Sequence, residues 1–197
     1  MQKQSINNKN VIVISGTPGT GKTTIARKLA EILNGMHIDL SELVLREKLY
    51  IDYDEERKSF IINEEAVINK IKEIAKNNKD KIIIIDSHYG EIAPKELVRK
   101  IIVLRLDPLT LEKRLRAKGW DWNKVKENVA AEILGVCTSN AIAEHGIDKV
   151  YEIDISNKDI DEVIEEIMKI LRGEGKPGSK VDWLSTKDFD KLRKYLK

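Results

Sequence analysis

The chain of 197 residues has one cysteine, Cys137, so no disulfide can form within it and a reducing interior suits it. Charge of either sign is scarcely in excess. Thirty-five basic and thirty-three acidic residues leave a net of +2, too little for nucleic-acid binding over the whole surface. No apolar run approaches the roughly 20 residues of a membrane span, so no membrane partner is expected. The opening "MQKQSINNKN" has no apolar core for a signal peptide and reads as a disordered tail over residues 1–10. Repeats and low-complexity tracts are also absent. Together these features predict a cytoplasmic protein, if the cell is prokaryotic or archaeal, with one domain large enough for a full core.

What is present begins at "VIVISGTPGTGKTT". Gly16 to Thr23 fit G-x-x-x-x-G-K-[ST], the phosphate-cradling loop. Glycines let the backbone turn sharply and approach phosphates without a Cβ in the way. The N–H groups then form an anion nest, to which the following helix adds its positive end. Lys22 is expected at the β- and γ-phosphates of ATP and the Thr23 hydroxyl on Mg²⁺. The candidate nucleotide-binding set is Gly16, Gly19, Thr20, Gly21, Lys22, Thr23 and Thr24. The setting agrees: Val11 to Ile14 read as a buried strand, and Ile25, Leu29, Ile32 and Leu33 as one helical face.

Five apolar segments read as parallel strands: 11–15, 36–39, 82–86, 101–106 and 149–155. Helical patterns alternate with them. Asn63 is placed to cap one, and Asp107-Pro108 opens another that Gly119 closes. A long pattern runs from about Asn123 to Glu144, and the next from Ser156 to Gly173. The alternation predicts an α/β three-layer sandwich over 11–172. "GEGKPGSK" (173–180) reads as a linker, followed over 181–197 by a short capped helix with Val181, Trp183, Leu184, Phe189, Leu192 and Leu196 available for packing.

"IIIIDSH" ends the third strand in Asp86, followed by His88. Asp86 is expected on the Mg²⁺ side, acting through metal-bound water, with a simple turn cap as the other reading. His88 either orients a water or the Mg²⁺ shell, or is structural; His37 and His145 are read as structural. Asp39 with Glu42 resembles a capping box. The acidic, aromatic Tyr50, Asp52, Tyr53, Asp54, Glu55 and Glu56 form either a solvated loop or part of an acceptor site.

The stretches "SGTPGTGKTT", "EKLYIDYDEE", "INEEAVINKI", "IIIIDSH", "VLRLDPLTLEKRLRAKGW" and "ENVAAEI" resemble the adenylate kinase isoenzyme 6 family, also described as the coilin-interacting nuclear ATPase family. The resemblance spans most of 11–136 and leaves the C-terminal segment outside. It implies a P-loop nucleoside monophosphate kinase fold with a five-stranded parallel sheet, an acceptor segment near 38–66 and a lid near 117–127. It implies ATP and Mg²⁺ as cofactors, adenylate kinase activity, a slower ATPase, and a role in small-subunit ribosome assembly and rRNA maturation. Lys22, Asp86 and His88 are the catalytic candidates it points to, and Thr23 and Asp86 the metal candidates. Arg46 and Tyr53 stand at the acceptor, and Arg105, Arg114 and Arg116 are candidate transition-state cations. Arg114 and Arg116 lie two apart, so they cannot share a helix face. The lid has Lys118-Gly119-Trp120 where the family has Arg-Gly-Tyr, which makes Lys118 a point charge in place of a bidentate contact. Arg46 lies one place beyond the family's arginine, about 100° around a helix.

Two functions follow. One is ATP + AMP ⇌ 2 ADP, with AMP as acceptor. The other is a nucleotide-switched assembly factor that binds a basic small-subunit ribosomal protein, or pre-ribosomal RNA. The acidic 52–56 stretch suits a basic partner. The seven basic and three acidic residues from Lys176 to Lys197 read first as a solvated helix docked by its aromatics, and secondly as a contact for RNA.

Overall fold

A computed structural model describes residues 9–55 and 59–196. In chain order the elements are β1 (Val11–Ser15), α1 (Lys22–Ile32), β2 (Met36–Asp39), α2 (Leu40–Arg46), β3 (Tyr50–Asp54), β4 (Ser59–Ile62), α3 (Glu64–Asn77) and β5 (Ile83–Asp86). There follow β6 (Val98–Arg105), α4 (Pro108–Ala117), α5 (Trp122–Ile133), α6 (Val136–His145), β7 (Val150–Asp154), α7 (Ile160–Leu171), α8 (Trp183–Thr186) and α9 (Phe189–Leu192). Five strands form a parallel sheet in the order β2-β5-β1-β6-β7. The expected α/β three-layer fold and its five parallel strands are present.

The layers follow from the pleat, which sends alternate side chains to opposite faces. Ile12 and Ile14 pack with α1, α4, α5 and α7, whereas Val11 and Val13 pack with α2, α3 and α6. All five β1 residues are buried, as befits the central strand. The chain leaves β1 toward β5 and β2 on one side and reaches β6 and β7 on the other. Their carboxyl ends therefore flank a topological switch point, where α/β sheets bind ligands.

Helix starts follow local chemistry. Asp39, Asn63, Asp107, Asp121 and Asp159 each accept an N–H from the first turn of their helix, and Asp159 with Glu162 completes a capping box. Asp159, not Ser156, thus sets the start of α7.

Several expectations are corrected. The 123–144 pattern is two helices, because Gly135 takes φ 65 and turns the chain between them. A Cβ there would lie 3.3 Å from the Arg105 Nη1. Within the expected acceptor segment, β3 and β4 form an antiparallel hairpin where a solvated loop is one of the two expectations. Ile32 is 49% exposed and drops out of the α1 core face, whose buried residues are Ile25, Ala26, Leu29 and Ala30. Residues 173–180 are not a free linker: Gly178 N–H donates to the Val150 carbonyl at 2.8 Å, laying the segment beside β7. Beyond it stand two short helices in place of one, with Trp183 and Leu192 buried and Leu184 and Phe189 exposed. Of the expected tail, residues 1–8 lie outside the described residues. Asn10 belongs to the fold, since its carbonyl accepts from Ile83 N–H at 2.8 Å.

Candidate active site

The loop between β1 and α1 is shaped by its glycines. Gly16, Gly19 and Gly21 have φ of 136, 93 and 103. A Cβ on Gly16 would sit 2.4 Å from the Leu104 carbonyl oxygen, so only glycine lets the loop pass over β6. Thr20 is buried and folds back, its hydroxyl donating to the Thr17 carbonyl at 2.9 Å. Lys22 starts α1 and is only 9% exposed, with Nζ donating to the same Thr17 carbonyl at 3.3 Å. Burial pulls the Lys22 pKa down, against the pull of the Asp86 carboxylate, while Lys118 reinforces the lowering. Lys22 and Asp86 are thus within each other's field across the loop. Thr24, exposed on the first turn of α1, stands one residue beyond Thr23.

Asp86 closes β5 in register with Ile14 of β1 and Asp39 of β2, which brings its carboxylate to the mouth of the loop. Burial acts to raise its pKa, but the His37 imidazole, the Thr23 hydroxyl and the Lys22 ammonium outweigh that and hold it below the usual carboxylate range. Asp86 Oδ2 is buried without a hydrogen-bond partner, and His37 Nε2 stands 3.9 Å away, too far to satisfy it. An orphaned, ionised oxygen beside a threonine hydroxyl fits Mg²⁺, which takes one or two protein oxygens and keeps waters and phosphates for the rest. His88 follows two residues on. Burial, with Lys22 adding to it and Asp86 opposing, lowers its pKa to about 4, so it is a neutral imidazole near pH 7.

The arginines separate. Arg114 Nη1 donates to the Gly19 and Thr20 carbonyls at 3.4 Å each and so lies over the loop. Arg116 turns away to Glu112 at 3.6 Å and the Trp122 ring. Arg105 is no phosphate ligand. It is 2% exposed, its Nε is 2.8 Å from Glu132 Oε1, and its Nη1 pairs with Glu152. Lys118 is exposed in the turn between α4 and α5, and residues 122–127 of the expected lid are the first turns of α5. Arg46 is exposed at the end of α2 and lines a groove of about 460 Å³ with His37, Asp39, Glu42 and Asn78. Tyr53 lies on the hairpin, its ring 5.0 Å from that of Phe60.

Sequence reasoning did not show that His37 approaches Asp86 or that Thr17 and Trp183 meet on Glu132. Glu132 stands in the quoted "ENVAAEI", but nothing in a local pattern says that it reaches Thr17, whose Oγ1 donates to its Oε2 at 2.7 Å.

A family model described as an AAA domain (AAA_18) matches residues 12–135, which hold the loop, Asp86 and Glu132. The chain belongs to this family. Relatives named "Putative adenylate kinase" extend the likeness. That of Methanocaldococcus jannaschii is 38% identical over 186 residues, covering 94% of this chain and 99% of its own. That of Pyrococcus furiosus is 35% identical over 188 residues, covering 95% and 97%. Such coverage carries the likeness into the C-terminal segment, beyond where the sequence resemblance stops. Among solved structures, a shikimate kinase from Bacteroides thetaiotaomicron superposes with a TM-score of 0.53 at 19% identity, over 82% of this chain and 98% of that one. A gluconokinase from Sinorhizobium meliloti gives 0.54 at 14%, over 86% and 95%. These two share the fold of this AAA_18 member, a P-loop fold that serves kinases. ATP with Mg²⁺ is the cofactor pair its loop, Thr23 and Asp86 fit. Among the described residues no helix is long and apolar enough to cross a membrane.

Proposed function

We propose that the protein is a Mg²⁺-ATP-dependent nucleoside monophosphate kinase that transfers the γ-phosphoryl group of ATP to AMP and hydrolyses ATP more slowly. The observation that carries it is the meeting of Lys22, Thr23, Asp86 and neutral His88 at the mouth of a P-loop, in a chain 38% identical to a relative named for adenylate kinase activity. When bound, Mg²⁺ supplies charge neutralisation on the phosphate oxygens. Lys22 and the loop N–H groups hold the transferring group, and Arg114 is the arginine placed to approach it. Asp86 and Thr23 would hold the metal, Asp86 through its shell of water. An acceptor phosphate oxygen is already a nucleophile, so the residues chiefly position. His88, uncharged, suits orienting a water in the hydrolytic side reaction. Arg46, in its groove, and Tyr53 are the acceptor-side residues of this reading, with Lys118 closing from the lid. ADP formation from ATP with AMP, CMP, UMP or no acceptor tests it. AMP-dependent ADP well above the no-acceptor rate is the expected result, and no acceptor dependence would leave an ATPase.

A second reading, that the protein also serves small-subunit ribosome assembly by binding a basic ribosomal protein, has one supporting observation. The hairpin bears Asp52, Asp54 and Glu55 beside exposed Ile51, Tyr53, Phe60 and Ile61; Glu56 lies outside the described residues. Binding of such a partner should weaken steeply with salt, and reversing Asp54 and Glu55 to lysine should slow association. No complex at low salt in any nucleotide state would end it. An RNA contact through the C-terminal segment has less support, since Lys187, Lys191, Arg193 and Lys194 are engaged in ion pairs within the chain.

A further inference from the structure

We propose that residues 178–196 are a strap that positions the phosphate-binding loop, with Trp183 and Glu132 as its positioning residues; the catalytic part of this rests on the kinase reading above. The strap lies beyond the residues 12–135 that the family model matches, yet it ends on the loop by two routes.

The first route runs through Glu132, a carboxylate 1% exposed. Its Oε1 accepts from Trp183 Nε1 at 3.0 Å, Arg105 Nε at 2.8 Å and Leu106 N–H at 3.1 Å. Its Oε2 accepts from Thr17 Oγ1 at 2.7 Å. The Thr17 carbonyl in turn holds Lys22 Nζ at 3.3 Å and the Thr20 hydroxyl at 2.9 Å. Three donors on one oxygen fix the carboxylate so that the other oxygen faces Thr17, and a fixed Thr17 presents its carbonyl to the lysine. Trp183 is the donor that the strap contributes.

The strap is itself anchored. Glu152 Oε2 accepts from Lys180 N–H at 2.6 Å, Val181 N–H at 2.8 Å and Ser179 Oγ at 3.2 Å. Arg105 joins Glu132 to Glu152, so one guanidinium bridges the two buried carboxylates at the interior. The second route is α4. Lys187 pairs with Asp107 at 2.8 Å, and Tyr195 donates to Glu112. Leu111 and Leu115 of the same helix press on Gly19, where a Cβ would come within 3.0 Å of each.

A hydrogen-bonded chain of this kind predicts coupling between strap and nucleotide, and coupling is reciprocal. Trp183→Phe keeps the ring and removes the N–H. It should lower kcat/KM for ATP about fivefold to tenfold, as for loss of one ordinary hydrogen bond, and leave the AMP KM unchanged. In a Thr17→Val background the same change should do nothing further, because the path to the loop is already cut. Effects of the two substitutions that multiply would overturn the proposal. So would wild-type kinetics for Trp183→Phe below a lowered Tm, which would mark a structural role alone. In the unaltered protein, a non-hydrolysable ATP analogue with Mg²⁺ should slow hydrogen exchange at the Lys180 and Val181 amides, and unchanged exchange there would overturn it without any variant. If wild type transfers no phosphoryl to AMP, the kinase reading falls, while the Thr17/Trp183 cycle read in ATP-analogue Kd and the exchange experiment still judge the strap.

Discussion

In the kinase reading single residues carry the phosphate chemistry, and their environments say what each loss should do. Lys22→Met removes the fixed cation beneath the transferring group, so turnover should fall by at least about a hundredfold. The fold should hold, because methionine suits the buried stem and the ammonium faces the loop. Activity within about tenfold of wild type, measured with saturating ATP and AMP, would defeat the P-loop assignment. His88 tests the two proposed reactions separately. If its neutral ring orients water, His88→Ala should depress hydrolysis without AMP more than transfer to AMP, and equal losses would assign it to the metal or the fold.

Elements answer to backbone geometry. The break between α5 and α6 exists because Gly135 is left-handed and lies against the Arg105 guanidinium. Gly135→Ala strains that φ and crowds the guanidinium, so urea unfolding should show a loss of about 1–3 kcal/mol. The hydrophobic pattern on either side is helical, which is why a sequence reading joins the two helices. A tolerant, mid-helix glycine and a left-handed one look alike in one dimension. The hairpin β3–β4 was hidden for a related reason. Its strands are short and largely exposed, so they lack the buried runs that betray β1, β5 and β6.

At the scale of the molecule, Arg105 joins β6, α5, β7 and the C-terminal segment. Arg105→Met leaves two buried carboxylates uncompensated and should cost about 3–5 kcal/mol in chemical denaturation. A catalytic cation would instead lose kcat at unchanged stability, so the pair of measurements decides between the roles. Acid should unfold the protein in two windows. Burial lowers the pKa of His145 and of His88 below the free value, so the unfolded chain binds their protons first as pH falls from about 6.5, and stability drops by up to about 1.4 kcal/mol per pH unit for each titrating group. His145→Asn should lessen that slope, with His88 supplying the remainder. Glu152 acts later. Burial works to raise its pKa, but Arg105, Thr138 and the strap amides outweigh it, so its contribution is present above its unfolded value and lost as pH falls through its lower folded one. Urea midpoints at several pH values, for wild type and His145→Asn, check both windows.

By itself the sequence determined the parallel sheet, the loop and the helix starts capped by Asp39, Asn63 and Asp107, because each is written in neighbours: buried runs, glycine spacing, an Asp or Asn three residues before an N–H. It also placed Asp86 at a strand end. Only the tertiary structure decided which basic residues meet the loop, since Arg105, Arg114 and Arg116 differ in fold position and not in local pattern. It likewise decided that residues 173–196 pack on the domain, with Trp183, Leu192 and Tyr195 entering its core. A linker composition says nothing of the Glu152 carboxylate waiting on β7, and a tryptophan N–H finds Glu132 only when the chain has folded back over the 51 positions that separate them. Long-range partners of buried charges have no sequence period, so packing alone assigns them.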